Sequence, residues 1–216
     1  MSTDSSAESR IGVIDYGAGN LRNVLNALEV IGSPGRLVRG PADFEGVEQL
    51  IFPGVGAFGD SIANLDRQDL RTPLRDWLSE DRPFLGICIG YQVLFESSEE
   101  CPEVEGLGHF AGRVRRFPET GLKVPHMGWN TVTPRDPSDP IWQGLPEVPH
   151  LYFVHSYFPE PEDDTIVAAH CEYGRPFAAA VRDGNVFASQ FHPERSQSAG
   201  LRIMKNFLVA SGAVAA

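Results

Sequence analysis

The segment Gly86-Ile-Cys-Ile-Gly90 sets a thiol between two glycines, where an apolar run meets a helix-like stretch. This is the G-x-C-x-G form of a nucleophile elbow, in which the reactive side chain stands on a sharp strand-to-helix turn. Such a turn packs its flanking positions closely, so glycine is wanted on both sides of Cys88. A helix starting at Ile89 would turn free N–H groups and its positive dipole end toward the sulfur, favouring thiolate over thiol. The Ile89 amide would then lie near an oxyanion developing on an attacked carbonyl. Taken alone, the pentapeptide fits a buried, unreactive cysteine equally well.

A thiol nucleophile requires a proton carrier. In Gln190-Phe-His-Pro-Glu194, His192 can take the thiol proton and return it to a leaving amine. Glu194 can fix the imidazole tautomer and stabilise the imidazolium, and Pro193 restricts the backbone between them. The same residues also describe a plain helix start, with proline in the first turn and glutamate at the positive dipole end. His109, His126, His150, His155 and His170 lack this pairing, although His155 competes for the role. A third piece, Pro53-Gly-Val-Gly-Ala-Phe58, has two closely spaced glycines, which let backbone amides approach a ligand as in an oxyanion hole. A phosphate loop would need a following Lys-Ser/Thr and a different glycine spacing. A plain turn stays open.

These residues need a scaffold. Ile11–Asp15, Leu37-Val38, Gln49–Phe52 and Pro83–Ile87 read as short apolar strands. Between them, Leu21, Val24, Leu25, Leu28 and Ile31 follow helical spacing, with Asn20 as the cap and Gly32 as the stop. Helices are expected near 57–66 and 69–80, and again from Ile89 onward. The second half carries strand-like runs at Leu151–His155, Thr165–Ala169, Phe177–Val181 and Val186–Gln190, with a turn at Asp183-Gly-Asn185. A last helix is expected over 196–210, with Leu201, Met204 and Leu208 on one face and Ile203 and Phe207 beside it. Alternating strands and helices predict a single α/β domain with a mostly parallel central sheet flanked by helices. Its expected span is 11–210, between a disordered tail at 1–10 and a short tail at 211–216.

At 216 residues the chain suits one full-sized domain. A formal charge of −11 argues against a general nucleic-acid binder and against an anionic membrane surface. Three cysteines, Cys88, Cys101 and Cys171, are too few and too odd in number for a disulfide framework, so a reducing cytoplasmic setting is expected. Cys101 and Cys171 show no metal-ligand spacing with histidine, and neither metal nor cofactor is expected. The longest uncharged run, Pro83 to Phe95, is 13 residues and too short to span a membrane.

Together, the glycine loop, Gly-Ile-Cys-Ile-Gly, Val154-His-Ser-Tyr157 and Phe191-His-Pro-Glu194 resemble the class I, triad-type glutamine amidotransferases, over Ile11 to about Leu208. Asp15-Tyr-Gly-Ala-Gly-Asn-Leu21, Pro53–Phe58 and Pro125-His-Met-Gly-Trp-Asn130 narrow this to the glutaminase subunits of imidazole glycerol phosphate synthase. The chain departs from that family's usual pattern at Arg195, where lysine is common, and at Tyr91, where methionine is common.

The resemblance implies that Cys88 attacks glutamine, that His192 protonates the departing ammonia, and that water then cleaves a γ-glutamyl thioester. It implies an oxyanion held by the Ile89 amide and by an amide of the Gly54-Val55 peptide, which must reorient before it donates. Gln92, Ser156 and Tyr157 would bind substrate. Asn20, Met127, Trp129 and Arg195 would meet a (β/α)8-barrel cyclase. That partner uses the ammonia to make imidazole glycerol phosphate and AICAR phosphate in histidine biosynthesis. From residue type alone, Met127 and Trp129 read as ordinary core. A lone hydrolase, such as a γ-glutamyl hydrolase or cysteine peptidase, and a catalytically silent regulatory module are the alternatives. The interface-like segments oppose the first, and the intact Cys-His-Glu set opposes the second.

Overall fold

The computed structural model describes residues 9–118 and 121–212. The tails expected at the two ends therefore fall largely outside the described residues. Of the tail residues that are described, Arg10 accepts backbone bonds from Glu48 and Gln49 through its carbonyl, and Ser211 is hydrogen-bonded by the Gln49 side chain.

The first half alternates strand and helix. β1 (Ile11–Ile14), β2 (Arg36–Val38), β3 (Gln49–Phe52) and β4 (Phe84–Ile87) are joined through α1 (Leu21–Ile31), α2 (Phe58–Arg67) and α3 (Arg71–Ser79). Asn20 sits at the start of α1, but its side chain makes no capping bond; its carbonyl accepts from Asn23 and Val24. Gly32 closes α1 in the left-handed region at φ +83°, as a helix stop requires.

Beyond β4 the chain makes one helical turn, α4 (Ile89–Gln92), and enters β5 (Phe95–Ser98). The helix expected from Ile89 onward starts there but ends after this single turn. Val93 and Leu94 instead give their carbonyls to the Leu107, His109 and Phe110 amides, which draws the segment into a small sheet. That sheet runs in the order β5, β6 (Phe110–Arg116), β9 (Tyr157–Pro161).

The remaining elements are β7 (His126–Pro134), β8 (His150–His155), β10 (Val167–Glu172), β11 (Pro176–Asp183), β12 (Val186–Ser189) and α5 (Gln197–Ala210). The main sheet has nine strands in the order β2-β1-β3-β4-β12-β11-β10-β7-β8. From β2 to β12 every pairing is parallel; from β12 to β8 every pairing is antiparallel. The sheet is thus mixed. Among the described residues of the second half no crossover helix joins the strands, and the two-residue connection at Gly184-Asn185 can only join antiparallel neighbours. The Asp81 carboxylate pins that turn by accepting from the Asn185 amide at 2.8 Å.

Successive strand residues alternate between two apolar layers. Ile11, Val13, Ile51, Leu85 and Ile87 pack with Val24 and Leu28 of α1 and with Ile203, Met204, Phe207 and Leu208 of α5. Ile14, Leu50, Phe52 and Phe84 pack on the opposite face with Phe58, Ile62 and Leu65 of α2 and with Leu74, Trp77 and Leu78 of α3. Helices therefore cover the parallel half on both faces, and its strands read as continuous apolar runs. Their carboxyl ends open along one edge, where the segments after β1, β3, β4 and β12 emerge side by side.

The turn after β4 is packed backbone to backbone. A Cβ on Gly90 would collide with the Phe52 carbonyl of β3, and one on Gly86 would lie 2.7 Å from the Gly90 oxygen. Gly90→Ala should therefore destabilise the fold by about 3 kcal/mol. Gly40→Ala, with open space around it, should stay within about 0.5 kcal/mol of the parent. Urea unfolding midpoints of the two variants check this; equal midpoints would refute it.

Candidate active site

Cys88 sits in the turn between β4 and α4 at φ +54°, ψ −103°, a backbone conformation that side-chain-bearing residues rarely hold. Its N–H donates to the Ser189 carbonyl of β12 at 2.8 Å, and its own carbonyl accepts from Tyr91 and Gln92 at 3.1 Å. The sulfur faces a cavity of about 390 Å³. α4 is only one turn long, so its dipole contributes little at the sulfur. The other two cysteines are not activated: burial pushes the Cys171 thiol up to about 12, and the Glu103 carboxylate raises that of Cys101.

His192 and Glu194 follow β12, the neighbour of β4. His192 Nδ1 bonds Glu194 Oε1 at 2.9 Å, with both side chains almost fully buried. The His192 N–H donates to the Tyr152 carbonyl, and its carbonyl accepts from the Ser196 hydroxyl at 2.7 Å. Nε2 makes no conventional hydrogen bond with the protein; its electrostatic partner is Cys88. Such looseness is usual for a nucleophile–base pair without substrate. Burial alone would lower the His192 pKa. The attraction of Cys88 and Glu194 outweighs it and pushes the value up to about 10.

His155 is ruled out as the competing base by its surroundings. Its Nδ1–H donates to the Tyr157 carbonyl at 2.7 Å, which leaves Nε2 to accept from His126 Nδ1 at 3.0 Å. His126 Nε2 in turn accepts from Asn130 Nδ2 at 3.2 Å. Stacked against Phe153 and Tyr173, His126 has its pKa pushed by burial to about 4, and burial takes that of His155 to about 3. Both rings are neutral.

Gln92, Ser156 and Tyr157 line the cavity with Cys88 and Ile89. Gln92 Nε2 donates to the Tyr157 carbonyl and to Gln190 Oε1, each at 3.1 Å. Gln190, fully buried, directs its own Nε2 at Cys88 Sγ from 3.5 Å. Sequence reasoning assigned Gln190 no part in the site. The signal was its place just beyond β12, two residues before His192 in the same Gln190–Glu194 run. Glu100 was also missed; it lines the cavity while one carboxylate oxygen accepts from the Phe58 amide at 2.7 Å.

The loop after β3 borders the same space. Gly54 abuts Ile89 so closely that no side chain fits, and Val55 and Gly56 line the cavity. The buried Tyr16 hydroxyl, held protonated by burial that pushes it up to about 12, donates to the Val55 carbonyl at 3.4 Å.

Met127 and Trp129 are 59% and 47% exposed, so the core reading of these two residues is overturned. They lie on β7 at every second position, facing out. Trp129 pairs in register with Tyr152 of β8, ring centroids 6.1 Å apart, and the Arg195 guanidinium lies 4.2 Å over the Tyr152 ring. Asn20 and Arg195 are also exposed. Among the described residues no cluster of three His, Cys, Asp or Glu could hold a metal ion, and no helix is long and apolar enough to cross a membrane.

A strained thiol at the strand-to-helix turn, a buried His-Glu pair from the next strand and a glycine loop at the same sheet edge are the parts of an acyl-transfer site. Residues 12–211 match the family described as glutamine amidotransferase class-I, and the chain belongs to it. Among its relatives, imidazole glycerol phosphate synthase subunit HisH of Thermosynechococcus vestitus is 48% identical over 200 residues, covering 92% of this chain and 95% of that protein. The subunit of the same name from Rhodopirellula baltica is 47% identical over 206 residues, covering 95% and 100%. A crystal structure of a glutamine amidotransferase superposes with a TM-score of 0.75 at 25% identity, covering 94% of this chain and 100% of that one. The structure of PurLQS from Thermotoga maritima contains a chain of the same fold, with a TM-score of 0.72 at 20% identity over 94% of this chain and 99% of that one.

The raised His192 pKa means that the folded chain holds this proton more tightly than the unfolded chain does. Its contribution to stability is complete below pH 6.5 and is lost as pH rises through about 10. In Cys88→Ala the imidazole should titrate lower by at least about one pH unit, because a main source of the attraction is gone. NMR titration of the His192 ring in both proteins measures this; an unchanged midpoint would remove Cys88 as its charge partner.

Proposed function

We propose that this chain is the glutaminase subunit of an imidazole glycerol phosphate synthase. The observation that carries the reading is the buried His192–Glu194 pair set against Cys88, whose side chain lines a cavity at the carboxyl edge of the sheet. Near-full-length identity of 47–48% to HisH subunits points to the same activity.

In this reading the Cys88 sulfur attacks the side-chain carboxamide carbon of glutamine. The carbonyl electrons move onto oxygen, where the Ile89 amide and an amide of the Gly54-Val55 peptide donate to the oxyanion. His192 Nε2 gives its proton to the amide nitrogen as the C–N bond breaks, and ammonia leaves a γ-glutamyl thioester. Water, deprotonated by His192, attacks that thioester; the C–S bond breaks, and glutamate departs. Glu194 holds the ring with Nε2 toward the sulfur. Gln92, Ser156 and Tyr157 contact the substrate, and the Glu100 carboxylate suits its α-ammonium. No step calls for a metal or cofactor. The names of the relatives describe one subunit of a synthase, and the partner in this reading is the barrel cyclase that receives the ammonia. Asn20, Met127, Trp129 and Arg195 form the face toward it, with Tyr152 as the ring on which Arg195 rests.

Cys88→Ala should lose at least about 10³-fold in glutamine hydrolysis, while the complex still forms product from added ammonia. Ammonia release and cyclase turnover, measured separately on the reconstituted complex, check this. Hydrolysis within about tenfold of the parent would refute the covalent route.

Arg195→Ala should weaken association with the cyclase about tenfold, since it removes a cation anchored on an aromatic ring. Alkylation of Cys88 should stay near the parent rate. Unchanged affinity and unchanged stimulation of glutaminase by the cyclase would take this face out of the interface.

A further inference from the structure

The carboxamide of Gln190 is 0% exposed, and both its ends are hydrogen-bonded. Its orientation follows from its neighbours. The Tyr157 carbonyl can only accept, so the end of Gln92 that points to it at 3.1 Å is the NH₂. That same NH₂ reaches Gln190 at 3.1 Å and therefore meets its oxygen. The Gln190 NH₂ is left facing Cys88 Sγ at 3.5 Å. A neutral thiol is a weak acceptor, whereas a thiolate accepts strongly. Gln190 is held in register by its own N–H, which donates to the Ala179 carbonyl of β11 at 2.8 Å.

We propose that Gln190 is a further catalytic residue, a fixed N–H donor to Cys88 sulfur whenever that sulfur carries negative charge. This rests on the glutaminase reading above. The donor acts twice. Before attack it stabilises the thiolate through a hydrogen bond separate from the proton held by His192. During thioester breakdown the C–S bond pair returns to sulfur, and the same N–H receives the charge as glutamate leaves. No proton moves to or from Gln190. In the thioester itself the sulfur is neutral and accepts weakly, so the hydrogen bond strengthens at the steps where charge develops. Gln92 is the positioning residue that fixes which end of the Gln190 carboxamide meets the sulfur.

The test pairs Gln190→Met with the parent. On the full chain at neutral pH, the ultraviolet absorbance of the thiolate, taken as the difference from Cys88→Ala, should fall by at least about half. In the complex with the cyclase, glutaminase kcat should fall about 10- to 100-fold, the range expected for losing a hydrogen bond to a charged group, with KM within about threefold. A measurement on the unsubstituted chain is independent of any folding defect: alkylating Cys88 should move the Gln190 side-chain amide NMR signals. Unchanged thiolate absorbance, a rise in KM with kcat intact, or amide signals indifferent to alkylation would each overturn the proposal while leaving the glutaminase reading standing. Parent protein with no Cys88-dependent glutamine hydrolysis would overturn both.

Discussion

The backbone at Cys88 is the constraint from which the rest of the site follows. Holding a non-glycine residue at φ +54° costs on the order of 1–3 kcal/mol, and the surroundings must over-determine it. They do so from three strands at once. β12 accepts the Cys88 N–H, Gly90 is pressed against the Phe52 carbonyl of β3, and Gly86 of β4 sits under the Gly90 oxygen. The same closeness sets Ile89 against Gly54. Sulfur, glycine loop and His192 are thus referred to one rigid junction of parallel strands, and none of them is placed by a free loop.

Burial acts on three histidines here with opposite results. His126 and His155 are hydrogen-bonded to each other, a backbone carbonyl and an amide, with no carboxylate partner among the described residues, so desolvation wins and both stay neutral. His192 is as deeply buried, yet faces Cys88 on one side and Glu194 on the other, and attraction wins. One residue type therefore supplies both a charged proton donor and an inert strut, with the neighbouring charges making the choice.

What was legible in the sequence was local. The two glycines around Cys88, the His-Pro-Glu run and the 3.6-residue spacing of α1 report steric and periodic demands within a few residues, and the structure meets them. The extent of α4 was not legible, because its end is set by β5 pairing with a strand fifteen residues on. The antiparallel half of the main sheet was partly hidden, since β7 carries glycine and polar residues at positions that blur alternation. Met127 and Trp129 misled by residue type: their alternation on β7 is regular, but which face is wet depends on β8 and on what lies beyond it. Gln190 and Cys88 are 102 residues apart, and only the β4–β12 pairing brings them together.

The hydrogen-bond chain that runs from Asn130 through His126 and His155 to the Tyr157 carbonyl has a polarity. Each N–H points the same way, ending on a carbonyl that has no proton to pass on. It therefore cannot relay protons inward without reversing both imidazole tautomers. It behaves instead as a row of aligned dipoles, and its field falls on the peptide oxygen to which Gln92 is moored. Its outer member belongs to β7, the strand that carries the exposed methionine and tryptophan. Bending that strand would tilt the row and re-weight the hydrogen bonds around Gln92, leaving every proton where it is.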